Sequence, residues 1–215
     1  MKGYPGRTVF DVMSPKSNAL VRGAIPAELE GQQLPTLIVR QRGEAWDRPF
    51  VAVYHPYTIA EGPAVKSVGY FGSTGDFVGI AVHSAMRTDY IFNSASGEPE
   101  VVHRNMRFKG NYAVIGEING SGQPEMLFLG DGQTVAAGKW SITSTADNVQ
   151  ASLNRSGDTY ELTASGDIIL TLPADENRQP ELTNIENPDE KLQGSLKDGI
   201  FAVQIPKGKY RIKII

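Results

Sequence analysis

The feature that most constrains this chain is an alternation of apolar and polar side chains with period two, broken at short intervals by turn-forming clusters. In "PFVAVYHPY" (49–57), Phe50, Ala52 and Tyr54 point one way and Val51, Val53 and His55 the other. Both sides are mostly apolar, the pattern of a strand central to a sheet and covered on both faces. "DFVGIAVHS" (76–84) and "NYAVIGEIN" (111–119) repeat it, and "TDYIFNS" (88–94) and "EMLFLGDG" (125–132) are shorter versions. Between them stand Gly72–Gly75, Ser96–Pro99 and Asn119–Gly122, compositions that favour turns because Gly supplies positive φ and Pro or Asn starts a bend. Helical periodicity is confined to single turns at "PAELEG" (26–31) and "NPDEKLQG" (187–194). The second has Asn187 as N-cap, Pro188 at the first helical position and Gly194 as stop. The expected fold is all-β, an antiparallel β-sandwich with a smaller C-terminal β-subdomain.

The character of the chain shifts near residue 145. Beyond it Ser, Thr and Asp become frequent, and Ser156-Gly157 and Ser165-Gly166 read as turns joining successive strands of a meander. Residues 174–190 read as an exposed polar loop. In the closing stretch Phe201, Val203 and Ile205 share a face with Tyr210, Ile212 and Ile214 across a Pro206–Lys209 turn. Arg211 and Lys213 point to solvent, where they would protect an edge strand from pairing with another molecule. The expected division is a main sandwich over 1–145 and a small β-meander subdomain over 146–215 packed on it.

With 215 residues, 40% of them hydrophobic, the chain can bury a sizeable core. A net charge of −3 without any basic block leaves no electrostatic footprint for nucleic acid. No cysteine is present, which removes disulfides, zinc–thiolate sites and thiol nucleophiles. The N-terminal stretch has no apolar core of a signal peptide, and no apolar run reaches membrane-spanning length, so neither a signal peptide nor a membrane partner is expected. His55, His83 and His103 form no tight ligand pair, and no calcium loop appears, so no metal or other cofactor is expected. His55 and His83 sit in strand patterns, as hydrogen-bonded structural histidines do. No Gly-x-Ser-x-Gly occurs. In "GDGQTVAAGKW" (130–140) a Trp stands where a phosphate loop needs Ser or Thr, so that segment reads as a turn.

Chemistry concentrates in "RQRGEAWDRPFVAVYHPY" (40–57). Arg40, Arg42 and Arg48 surround Glu44 and Asp47, which suits ion pairing and opposes a general acid, because neighbouring guanidinium groups favour the ionised carboxylate. The structural reading is an Arg–carboxylate network locking a loop onto the sheet. The functional reading is glycan contact: the arginines on carboxylate or sulfate, Trp46 and Tyr57 stacked on sugar rings, with Glu44 in the same cluster. Trp46 equally suits a cap on the sandwich core. Catalysis by Glu44, Tyr54 and His55 is opposed by alternation, which sends Tyr54 and His55 to opposite faces, so no catalytic residue is assigned.

The segments "LPTLIVRQRGEAWDRPFVAVYHPY", "SVGYF", "FVGIAV", "TDYIFNS" and "RFKGNYAVIGEINGSGQPEMLFLGDG" resemble, in that order, the C-terminal β-sheet portion of heparinase II/III-like polysaccharide lyases. The resemblance covers about residues 5–140. It implies a non-catalytic β-sandwich from an exported bacterial glycan-degrading system, periplasmic or extracellular, that supports or contacts an acidic polysaccharide. The alternative it implies is a purely structural domain packed against an α/α toroid catalytic domain, which these residues do not contain.

Overall fold

The computed structural model describes residues 8–13, 20–26, 33–39, 51–58, 60, 62–74, 76–190 and 192–214. Among them every regular element is a strand. No helix among them is long and apolar enough to cross a membrane. Two small antiparallel sheets come first. β1 (Thr8–Met13) pairs with β4 (Val53–Thr58), and β2 (Leu20–Pro26) pairs with β3 (Gln33–Val39). Of the strand expected over 49–57, the described part from Val53 is β4, which pairs with β1, while residues 49 and 50 lie outside the described residues.

The other fourteen strands form one antiparallel sheet that folds over on itself into a sandwich. The fold turns on a long hairpin, β9 (Met106–Ile118) and β10 (Pro124–Ala137). Its outer half lies in a front layer. There β9 pairs with β7 (Arg87–Ser94), and β7 leads on to β6 (Phe77–Ser84) and β5 (Val65–Thr74). On the other side β10 pairs with β12 (Val149–Ser156), followed by β13 (Thr159–Ala164), β18 (Gly208–Ile214) and β15 (Pro180–Asn184). The inner half of the hairpin belongs to a back layer. There β9 pairs with β8 (Val101–His103), and β10 with β11 (Trp140–Thr143), followed by β14 (Ile168–Pro173), β17 (Ile200–Ile205) and β16 (Gly194–Lys197).

Two glycines permit the fold-over. Gly110 and Gly132 face each other where the β9–β10 register slips. A Cβ at Gly132 would lie 2.8 Å from the Gly110 Cα and from the Lys109 carbonyl oxygen, so the strands cross too closely for any side chain. Fully extended, β9 would separate its ends by about 40 Å. Instead the guanidinium of Arg104, just before β9, lies 3.1 Å from the hydroxyl of Tyr90, whose backbone partner is Ile115 near the far end of the same strand. Both ends of the hairpin therefore reach one open end of the sandwich.

The alternation expected from sequence accounts for the core. Phe92, Phe108, Ile115, Leu127 and Leu129 are fully buried between the layers, as are Ile142, Leu170 and Ile212, in a single apolar cluster. Residue 145 lies between β11 and β12, and both of these strands pair with β10. Phe201, Val203, Ile205, Tyr210 and Ile212 are buried as the closing pattern requires.

Several local expectations are corrected. Ser165-Gly166 does not close a hairpin: β13 lies in the front layer and β14 in the back, so this turn crosses the core. The segment 174–190 contains β15, too polar to announce itself, because only Pro180 and Asn184 of its five residues are buried. β15 covers the flank of β18, so Arg211 and Lys213 lie on a solvent face of an interior strand instead of guarding an edge. Residues 187–190 form a lone turn closed by Glu190 N–H to the Asn187 carbonyl at 3.0 Å, and Gly194 opens β16 instead of ending a helix. β5 runs on to Thr74, shortening the first turn cluster. Most of 130–140 is strand, its turn confined to Gly138-Lys139. The 26–31 helical turn lies largely outside the described residues.

Candidate functional site

Of the residues singled out in sequence, Arg40, Arg42, Glu44, Trp46 and Arg48 lie outside the described residues. Tyr57 sits in β4 opposite Val9, its ring 5.4 Å from that of His55. His83 is hydrogen-bonded as expected, Nδ1 to Thr88 Oγ1 at 3.1 Å, while the buried Nδ1 of His55 has no partner among the described residues.

A different constellation occupies the open end of the sandwich. Turns from both layers gather there: Gly138-Lys139 and Asp198-Gly199 from the back, Gly157-Asp158 from the front, and the 174–178 connection from β14 towards β15. Between them lies a groove of about 720 Å³. Lys139, Arg155 and Arg178 line it together with Asp158 and Asp175. Trp140 and Tyr160 form its floor, with ring centroids 4.9 Å apart. Both rings are about 95% buried, so they shape the floor and offer no stacking face.

The backbone positions two of the cations. Lys139 Nζ donates to the Gly199 carbonyl at 3.3 Å, and Arg155 Nε to the Gly157 carbonyl at 3.1 Å. A tight reverse turn places Arg178: the backbones of Asp175 and Arg178 exchange two hydrogen bonds, and Asp175 Oδ1 accepts the Asn177 N–H at 2.8 Å. Among the described residues no carboxylate comes within salt-bridge distance of any of the three. An ammonium keeps two of its three donors free after one bond, and a guanidinium four of its five. The groove thus holds three cations, Lys139 and Arg155 bonded to neutral carbonyls and Arg178 placed by its turn, with spare donor capacity for an anion. Burial pushes the Tyr160 phenol up, Arg155 opposing and Glu125 adding to the shift.

A second cluster adjoins on the same end. Arg104 donates to the Tyr90 hydroxyl at 3.1 Å, and the His103 ring stacks on Phe71 with centroids 4.4 Å apart. Burial lifts the Glu117 carboxyl above its ordinary range against the opposing charge of Arg104. Burial, reinforced by Arg104, lowers His103. By contrast Arg87 is satisfied by Asp89 at 2.6 Å and Glu125 at 3.4 Å, a structural ion network. Among the described residues no group of three or more His, Asp or Glu is arranged to hold a metal ion.

Sequence reading missed Lys139, Arg155 and Arg178 because positions so far apart meet only once strands pair. The available signal was a cation beside a turn signal in each case: Gly138-Lys139, Arg155-Ser156-Gly157 and Asn177-Arg178.

Residues 65–155 match the family described as the endo-acting ulvan lyase C-terminal domain. Over 121 residues the chain is 30% identical to the endo-acting ulvan lyase of Formosa agariphila, an alignment covering 53% of this chain and 15% of that protein. The chain therefore spans a small part of the relative's length. The matched stretch, β5 to nearly the end of β12, is similar to the C-terminal domain of a polysaccharide lyase. It contains the β9–β10 hairpin, Lys139 and Arg155.

Proposed function

We propose that this chain is a non-catalytic β-sandwich module of a polysaccharide-lyase system that holds an acidic polysaccharide at the open end of the sandwich. The observation that carries this is the groove in which Lys139, Arg155 and Arg178 stand without carboxylate partners among the described residues. The similarity over 65–155 supplies the ligand class, and ulvan, named by the relative, is the first glycan to test. Location in the periplasm or outside the cell belongs to the same proposal, as does a kinship with heparinase II/III-like lyases. That kinship rests most specifically on "RQRGEAW" joined to "RPFVAVY", which precedes the matched stretch, and on the order of the later strand segments. Arg40, Arg42, Glu44, Trp46, Arg48 and Tyr57 remain proposed glycan contacts on sequence grounds.

The test is calorimetric titration with ulvan against a neutral glycan. Binding is expected for ulvan alone, weakening as salt rises from about 0.05 to about 0.5 M because exposed charges are screened. Replacing Arg155 or Lys139 by Gln should weaken it about 2–5-fold each, the scale of an exposed charge contact. Equal affinity for both glycans, or none for ulvan, refutes the reading. Incubation of this chain with ulvan should generate no unsaturated-uronate absorbance.

One observation favours the structural alternative of docking on a toroid catalytic domain. On the outer side of the front layer, Ile80, Ile91, Val114 and Phe128 form an apolar row across four strands. Ile80 is buried yet stands apart from the core cluster. If this row docks on a catalytic domain, Val114→Lys leaves ulvan titration unchanged and abolishes co-purification with that domain. Retained co-purification contradicts it.

A further inference from the structure

The groove is one part of a longer row of cations. In the back layer the strands run β8-β9-β10-β11-β14. At the open end this order sets the Arg104-Asn105 turn, then the Gly138-Lys139 turn, then the connection carrying Arg178. The first two turns are tied directly, Gly138 N–H donating to the Asn105 carbonyl at 2.9 Å. Their centres lie two strand spacings apart, about 10 Å, and the end of β14 is between one and two spacings further on.

Arg104 is the unexplained member. It is the first residue of a two-residue turn, because His103 pairs with Met106, and its φ is +53°. Gly, Asn or Asp adopts that conformation at lower cost, so local turn preference does not account for an arginine there. Its side chain is oriented by the Tyr90 hydroxyl, and among the described residues no carboxylate, Glu117 included, lies within salt-bridge distance. Observed strain of this kind is a pointer to function.

We propose that the anion site continues along this rim from the groove to Arg104, so that its ligand is an extended polyanionic saccharide with acidic groups on successive repeats, not a single sugar. The proposal rests on the glycan-binding reading above and adds its length and direction: the chain lies across the strand ends of the back layer, with Arg178, Lys139 and Arg104 meeting successive acidic groups. Arg104 is a specificity residue for length.

The test uses the full chain with size-fractionated ulvan di-, tetra- and hexasaccharides and four proteins: wild type, Arg104→Asn, Arg104→Lys and Lys139→Gln. Asparagine suits a positive φ, so Arg104→Asn should keep or raise the melting temperature while removing the charge. Wild-type affinity is expected to rise with length. Arg104→Asn should leave disaccharide affinity within about twofold and weaken hexasaccharide binding about 3–10-fold, with Arg104→Lys between. Lys139→Gln should weaken every length. If Arg104→Asn binds hexasaccharide like wild type, or loses as much on the disaccharide, the extension is wrong while the groove stands. If wild type binds no length at all, the glycan reading itself fails.

Discussion

Replacing Gly132 by alanine is the sharpest test of the fold-over that creates the open end. The new Cβ would sit 2.8 Å from the Gly110 Cα, 2.8 Å from the Lys109 carbonyl oxygen and 2.8 Å from Leu129 Cδ1. Carbon atoms rest at about 3.5–4.0 Å, so the overlap is roughly 0.7–1.2 Å, and two of the three obstacles are backbone. Relief requires β9 and β10 to separate where they cross. The cost belongs at the upper end of overpacking, about 2–3 kcal/mol. For a chain of this size that corresponds to a melting temperature lower by about 5–10 °C. Gly69→Ala is the matched control, because its Cβ meets nothing within 4 Å. Scanning calorimetry on both variants gives the answer. A Gly132→Ala protein melting within about 1 °C of wild type would mean the crossing is not the tight point described. A fall matched by Gly69→Ala would show the loss is not specific to the crossing, because the entropy effect of Gly→Ala on the unfolded chain would by itself raise the melting temperature.

Other consequences are independent of that crossing. Asn184 is buried, accepts the Glu186 and Asn187 N–H groups at 2.9 and 3.2 Å, and donates to Glu190 Oε2 at 2.5 Å. Asn184→Ala should cost about 1–3 kcal/mol, read as a lower urea midpoint at unchanged slope. Phe108, fully buried with its ring 5.3 Å from that of Phe92, should cost about 3–5 kcal/mol as alanine in the same assay. Burial raises the folded pKa of Tyr160 above the unfolded value near 10. Its stabilising contribution is therefore complete below pH 10 and lost as pH climbs through the folded value. Subtracting the alkaline tyrosinate absorbance titration of Tyr160→Phe from that of wild type should isolate a phenol that ionises late.

Alternation made much of the strand content legible. The faces of β17 and β18 follow directly from Phe201, Val203 and Ile205 and from Tyr210 and Ile212. Partner choice was not legible, because period two fixes which way a side chain points and says nothing of which strand lies beside it. Hence the supposed hairpin at Ser165-Gly166 is a crossing between layers. The exchange of partners by β10 depends on the pairing of Gly110 with Gly132, a non-local fact that period two does not carry. β15 escaped notice because a strand with one polar face and few buried residues resembles a loop. The site was the least legible part. The dense Arg and Trp run at 40–48 drew attention by composition and lies outside the described residues, whereas Lys139, Arg155 and Arg178 are ordinary surface cations until the turns converge.

The most direct measurement is backbone amide NMR of the isotopically labelled chain during titration with ulvan oligosaccharide. Shifts should concentrate on the turns at 138–139, 155–158 and 174–178, extend to 104–105 with longer oligosaccharides, and leave the outer face of β6, β7 and β9 unchanged. Perturbations confined to that outer face, or none anywhere at saturating glycan, would contradict an anion site at the sandwich's open end.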